Sequence, residues 1–254
     1  HLGAAHTAGN LNLDALGTRM SIFAIGDLHL PGHAQKPMDV FGSHWDRHFE
    51  TISDHWRRMV GPTDVVLIPG DISWAMQLDQ ALDDLRAIAA LPGRKLLLRG
   101  NHDYWWSSLS KLRAALPEGM FALQNDALAL EGHVFCGTRG WMFPTVQQPL
   151  GAQDEKVFRR ELMRLRMSLD QAAGLSGQDI TVLMHYPPLF ADGVGTPFTD
   201  ILEEYAVTRV VYGHLHGAGI KVAFRGERQG IRYFLTSCDA LGFCPLQIEG
   251  ESQI

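Results

Sequence analysis

Leu96-Leu97-Leu98-Arg99-Gly100-Asn101-His102-Asp103 is the stretch on which the reading of this chain turns. Its three leucines form a short apolar run between Pro92-Gly93 and Gly100, which predicts a buried strand. Behind it, Leu109, Leu112 and Leu116 carry the spacing of a helix over Ser107 to Leu116. Asn101, His102 and Asp103 therefore fall on a strand-to-helix turn at a strand's carboxyl end, where open α/β sheets bind ligands. Packing alone gives no reason to place Asn, His and Asp there.

The arrangement recurs four times. Ser21 to Gly26 leads into Asp27-Leu28-His29, and Asp64 to Ile68 leads into Pro69-Gly70-Asp71. Ile180 to Met184 leads into His185, and Thr208 to Tyr212 into Gly213-His214-Leu215-His216. Residues two apart in an extended segment point the same way, so Asp27 and His29 can grip one ion. Mixed Asp, His and Asn ligation suits Mn, Fe, Zn, Co or Ni rather than Ca or Mg, with Mn the first choice. The ligands outnumber the needs of one ion, and a carboxylate can bridge, so two divalent metal ions are expected.

The rest of the chain fills in around these ends. Helices are predicted over Asp39 to Val60, Trp74 to Leu91 and Asp154 to Ala173, the last with its charges on a solvated face. His44, His48 and His55 read as packed or solvated helix positions. Strand and helix alternate in the first half, which argues for a largely parallel sheet. Residues 120–137 read as antiparallel strands and hairpins around Asn125-Asp126 and Glu131-Gly132. Strands at Ile220 to Phe224 and Ile231 to Leu235 complete the pattern, and the tail from Gly242 carries none.

Composition sets outer limits. A chain of 254 residues at 46% hydrophobic can bury a full core. No run reaches the roughly 18–20 apolar residues of a membrane span. The net charge of −6, without a basic stripe, argues against nucleic acid as partner. Three cysteines, Cys136, Cys238 and Cys244, make no disulfide framework and fit a reducing, cytoplasmic setting. Residues 1–19 are small and polar, lack a signal-peptide core, and read as a leader or disordered extension. Residues 20–254 read as a single domain.

The ordered set Asp27-Leu28-His29, Gly70-Asp71, Gly100-Asn101-His102-Asp103, His185 and Gly213-His214-Leu215-His216 resembles the calcineurin-like metallophosphoesterases. Gly70 to Trp74, Asp103 to Trp106 and Gly137 to Trp141 further resemble a bacterial branch of predicted phosphohydrolases. The resemblance implies an α/β (α+β) fold, a four-layer αββα sandwich of two mixed β-sheets flanked by helices. It implies one metal on Asp27, His29 and His216, another on Asn101, His185 and His214, and Asp71 bridging them. It implies hydrolysis of phosphomonoesters or phosphodiesters of small molecules or nucleotides, by in-line attack of a metal-bridging hydroxide. His102 would act as general acid, with Asp103 a candidate to orient it. Arg99 and Arg139 are candidate phosphate contacts through bidentate pairing. In the protein Ser/Thr phosphatase branch an Asp and an Arg stand where this chain has Trp74 and Ala75, which turns the reading away from phosphoproteins. A metal-dependent nuclease and a non-catalytic metal-binding scaffold are the alternatives. The first lacks a Lys/Arg patch. The second predicts eroded ligands, and here every ligand is present.

Overall fold

The computed structural model describes residues 19–33, 38–175 and 179–250, so nearly all of the expected leader lies outside the described residues. The strands in chain order are β1 (Ile22–Ala24), β2 (Val65–Pro69), β3 (Arg94–Leu98), β4 (Met120–Leu123), β5 (Ala127–Leu130) and β6 (His133–Thr138). They continue as β7 (Asp179–Met184), β8 (Val207–Tyr212), β9 (Gly226–Arg228), β10 (Ile231–Leu235) and β11 (Leu246–Glu249). The helices are α1 (His48–Met59), α2 (Leu78–Ala89), α3 (Leu109–Ala115), α4 (Ala152–Ala173) and α5 (Pro197–Glu203).

Two sheets result, one ordered β11-β1-β2-β3-β4 and the other β5-β6-β7-β8-β10-β9. The apolar runs are continuous because their strands are covered on both faces. Ile22, Ala24, Val65, Leu67, Leu96 and Leu98 point into a layer shared with Phe135, Leu183 and Val211 of the other sheet. The residues between them, Phe23, Val66, Ile68 and Leu97, point outward onto Ile52, Trp56, Leu85, Ile88 and Leu112 of α1, α2 and α3. On the second sheet Val182, Met184, Val210 and Tyr212 point outward onto Leu165, Leu169, Phe198 and Leu202 of α4 and α5. A slip of one residue would exchange these sets, so the alternation fixes the register. The result is the four-layer αββα sandwich of two mixed sheets.

Several local expectations need correction. The first predicted helix begins later: 3-10 turns at Met38–Phe41 and Ser43–Trp45 precede α1, with Gly42 and Arg47 at positive φ interrupting them. The second begins at Leu78, because Ser73 and Trp74 are held by the loop after β1 through Leu30. β4 is parallel to β3 rather than a hairpin arm, since α3 carries the chain back before it; only β5 and β6 form the hairpin. The strand placed at Ile220 to Phe224 is a 3-10 helix, Gly217–Val222, and the hairpin partner of β10 is β9. The tail from Gly242 supplies β11, antiparallel to β1, with Ile248 in the inner layer. The charged face of α4 is not all solvated: Glu161 is buried, accepts from the Thr138 hydroxyl at 2.7 Å and pairs with Arg164 at 2.8 Å.

Trp56 ties α1 to the turn before β3: it is fully buried and its indole donates to the Pro92 carbonyl at 2.8 Å. Trp56→Phe leaves that carbonyl unpaired and should cost about 1–3 kcal/mol in urea denaturation. An unchanged midpoint would remove the bond from the account.

Candidate metal centre

The loops that follow the strands are built to hold side chains in uncommon positions. Asp27, His29, Asp71 and His214 have φ of 57°, 46°, 52° and 72°, the left-handed region that non-glycine residues seldom occupy. Such conformations persist where surrounding structure over-determines them, and they cluster at functional sites. Here the surroundings are visible. Asp27 N–H donates to Gly70 O at 2.9 Å and His29 N–H to Asp71 O at 3.0 Å, which zips the loops after β1 and β2 together. Glycine leaves room for the carboxylates. A Cβ on Gly100 would lie 2.2 Å from Asp71 Oδ1, and one on Gly213 would lie 2.1 Å from Asp27 Oδ2.

Asp103 serves this framework. Its fully buried carboxylate accepts from the backbone N–H groups of Gly100 at 2.7 Å, Ile72 at 2.8 Å and Ser73 at 3.2 Å, and from the Trp105 indole at 3.0 Å. It therefore fastens the loop after β3 to the loop after β2. Burial, then the Asp71 charge, push its carboxyl up to about 6, against the pull of the backbone donors. No hydrogen bond joins Asp103 to His102, so the expected orienting role corrects to a backbone clamp: this side chain is spent on the N–H groups around it.

Two groups of donor atoms converge, each within 4.8 Å: Asp27, His29 and His216 in one, and Asp27, Asp71 and His185 in the other. In the first, His29 Nε2 and His216 Nε2 are 3.4 Å apart, and His216 Nε2 is 3.2 Å from Asp27 Oδ1. Asp71 Oδ2 reaches both sides, 3.7 Å from His29 Nε2 and 3.4 Å from His185 Nε2. Asn101 stands at the second group, its Oδ1 2.8 Å from His185 Nε2. His185 Nδ1–H donates to the Pro69 carbonyl at 2.9 Å, which turns Nε2 toward the ligands. His214 is in the same cavity with its ring centroid 5.1 Å from that of His185, but it belongs to neither converged group.

The electrostatics fit a cation. Burial alone would raise Asp71, but the His185 and His29 imidazoles facing it hold its carboxyl well below the usual carboxylate range. Burial lowers His185, and the Asp71 carboxylate more than reverses this, raising it to about 9. His216 likewise rises to about 10 against its burial, through Asp239 and Asp27. Buried carboxylates thus draw positive charge onto the imidazoles between them. His29 and His214 behave oppositely: burial lowers both to about 4, keeping them neutral with a lone pair to offer. Two imidazole Nε2 atoms 3.4 Å apart beside a buried carboxylate form a donor set that suits a borderline divalent ion.

His102 sits beside this cluster. Its N–H donates to Asp71 Oδ1 at 2.9 Å, its ring lies 4.9 Å from Trp74, and Tyr104 Oη is 3.5 Å from Nδ1. Trp74 also stacks on His29, at 4.9 Å and 23°. A cavity of about 350 Å³ opens here, with Met38, Phe41 and Trp45 as its apolar wall. Trp105 and Trp106 are core residues, and His44, read as a bland helix position, lines this cavity. Arg99 and Arg139 are not brought to the cluster, which corrects the expected phosphate contacts. Their side chains line a different cavity, because each projects from a strand end toward α4. Arg139 instead acts on the candidate ligand His185 through its backbone, its carbonyl accepting from the N–H groups of His185 and Tyr186 at 3.0 Å each.

The sequence reading missed Asp239, whose Oδ1 accepts from His216 Nδ1–H at 2.9 Å and whose Oδ2 accepts from Gly217 N–H at 3.0 Å. Such a carboxylate behind a ligating imidazole fixes its orientation and strengthens it as a ligand. The signal was present, for Asp239 is a carboxylate shortly after strand β10, which is buried on one face.

The profile of the calcineurin-like phosphoesterases matches residues 20–218. The gene 66 protein of Mycobacterium phage D29 is 40% identical over 85 residues, which span 33% of this chain and 40% of that relative's length. Among solved structures, the phosphopantetheinyl hydrolase of Mycobacterium tuberculosis overlays with a TM-score of 0.55 at 16% identity, covering 92% of this chain and 97% of that one. That likeness concerns the fold alone. A protein of unknown function from Aquifex aeolicus overlays less well, at a TM-score of 0.45 and 13% identity over 90% of this chain and 96% of that one. With the family profile spanning every one of the five strand-end motifs, the chain belongs to the calcineurin-like phosphoesterase family.

Proposed function

We propose that this chain is a two-metal phosphoesterase acting on phosphomonoesters or phosphodiesters of small molecules or nucleotides. The observation that carries the reading is the Asp71 carboxylate, whose Oδ2 lies within 3.7 Å of imidazoles from two different ligand groups. One ion would be held by Asp27, His29 and His216, the other by Asn101, His185 and His214, with Asp71 common to both. The mixture of imidazole, carboxylate and amide oxygen suits Mn, Fe, Zn, Co or Ni, and Mn is the first ion to test. Ions held there would supply charge to the phosphoryl oxygens and lower the pKa of a water for attack on phosphorus.

The chain's own residues do the rest. Asp71 fixes the backbone of His102, and Trp74 packs its ring where the protein phosphatase branch has an Asp. Tyr104 Oη stands at Nδ1, which leaves Nε2 to protonate the leaving oxygen. The apolar wall of Met38, Phe41, Trp45 and Trp74 suits the organic part of a small ester. Beyond His214, a cleft of about 480 Å³ walled by Trp141, Phe143, Tyr186 and Phe190 gives room for a leaving group. Neither cavity carries a basic stripe, which favours small esters over nucleic acid. No described helix is long and apolar enough to cross a membrane, and the three cysteines are unpaired, in keeping with a cytoplasmic enzyme.

Chelator-stripped protein should turn over neither p-nitrophenyl phosphate nor bis-p-nitrophenyl phosphate, and Mn should restore one or both. Failure with every one of the five metals on both esters would sink the reading. His102→Ala should keep its metal content while turnover falls by roughly 10²-fold or more, as for loss of a general acid. Undiminished turnover in that variant would take His102 out of the mechanism.

A further inference from the structure

We propose that the cavity between the carboxyl ends of β3, β4 and β6 and the helix α4 is a second anion site, which takes a phosphate group. Four arginines face it, Arg99, Arg139, Arg160 and Arg164, against a single carboxylate, Glu161. The cavity holds about 280 Å³ and shares no lining residue with the metal centre.

The charges do not close among themselves. Glu161 is already engaged by the Thr138 hydroxyl at 2.7 Å, by Arg164 at 2.8 Å and by Arg139 at 3.6 Å. Among the described residues, Arg99 and Arg160 have no ion pair and no hydrogen bond, and the Nε atoms of Arg99 and Arg139 are buried without an acceptor. Buried donors are nearly always satisfied, so these want an acceptor that the chain itself does not supply. Four guanidinium groups facing one carboxylate leave three positive charges over. The like charges of Arg99 and Arg160 bear on Arg139, whose pKa is lowered by burial despite Glu161.

Guanidinium forks match oxyanions bidentately, which favours phosphate over a halide, and the three positive charges left over favour its higher negative charge over the single charge of a carboxylate. The side-chain oxygen of Gln124 already accepts from Trp106 Nε1–H at 2.8 Å. Its amide NH₂ group is left as a further donor at the same wall. Free phosphate and the phosphoryl head of an organic phosphate share this chemistry.

The test is equilibrium dialysis of the metal-loaded protein against labelled inorganic phosphate, with Arg160→Glu and Arg164→Gln alongside. Arg160 is exposed on α4, so its replacement leaves the fold intact, and melting temperature checks both variants. Phosphate that stays bound in the presence of chelator is expected, with affinity falling about 10-fold or more in each variant, as for loss of a charged hydrogen-bond partner. Phenylphosphonate distinguishes the sources: displacement of the label assigns the site to organic phosphates, and no displacement assigns it to the free anion. Binding that vanishes with the metal, or is equal in all three proteins, would overturn the second site.

Discussion

His29 follows β1 in one sheet and His185 follows β7 in the other, yet both imidazoles meet the same carboxylate, Asp71. That meeting requires the two sheets to pack at one fixed offset. The offset is set by the inner layer, where Ile22, Leu67 and Leu98 interdigitate with Phe135, Leu183 and Val211. The alternation of those residues is what makes the strands read as continuous apolar runs. Packing energy and site geometry therefore rest on the same residues, and a register error in either sheet would separate the ligands.

Around that meeting, polar groups are used for position. Asp103 is spent on backbone N–H groups, Asp239 on one imidazole, and the Pro69 carbonyl on another. Four of the expected ligands hold left-handed backbone conformations that hydrogen bonds between neighbouring loops keep in place. Strain of this kind is tolerated where the surrounding structure over-determines it, and the strands that lead into these loops, β1, β2 and β8, are almost wholly buried.

Much of this was legible in the sequence, and what escaped did so for physical reasons. The candidate ligands stood out because Asp, His and Asn after an apolar run have no packing explanation. Asp103 looked catalytic for the same reason, since adjacency to His102 cannot reveal that its carboxylate turns toward Ser73 and Gly100. Arg99 and Arg139 follow strands that end at the site, but their side chains leave toward α4, a direction that depends on tertiary packing. Glu161 sits in a helix whose other charges are exposed or half-buried, and its burial shows only once Thr138 is placed beside it. β11 is four residues long and borders one strand, so its pattern was too short to read.

The most direct measurement is anomalous diffraction from crystals of the protein grown with Mn. Two peaks roughly 3.5–4 Å apart, with the Asp71 carboxylate between them, are the predicted result for a hydrolytic two-metal centre. A single peak, or two peaks that do not share Asp71, would contradict the account.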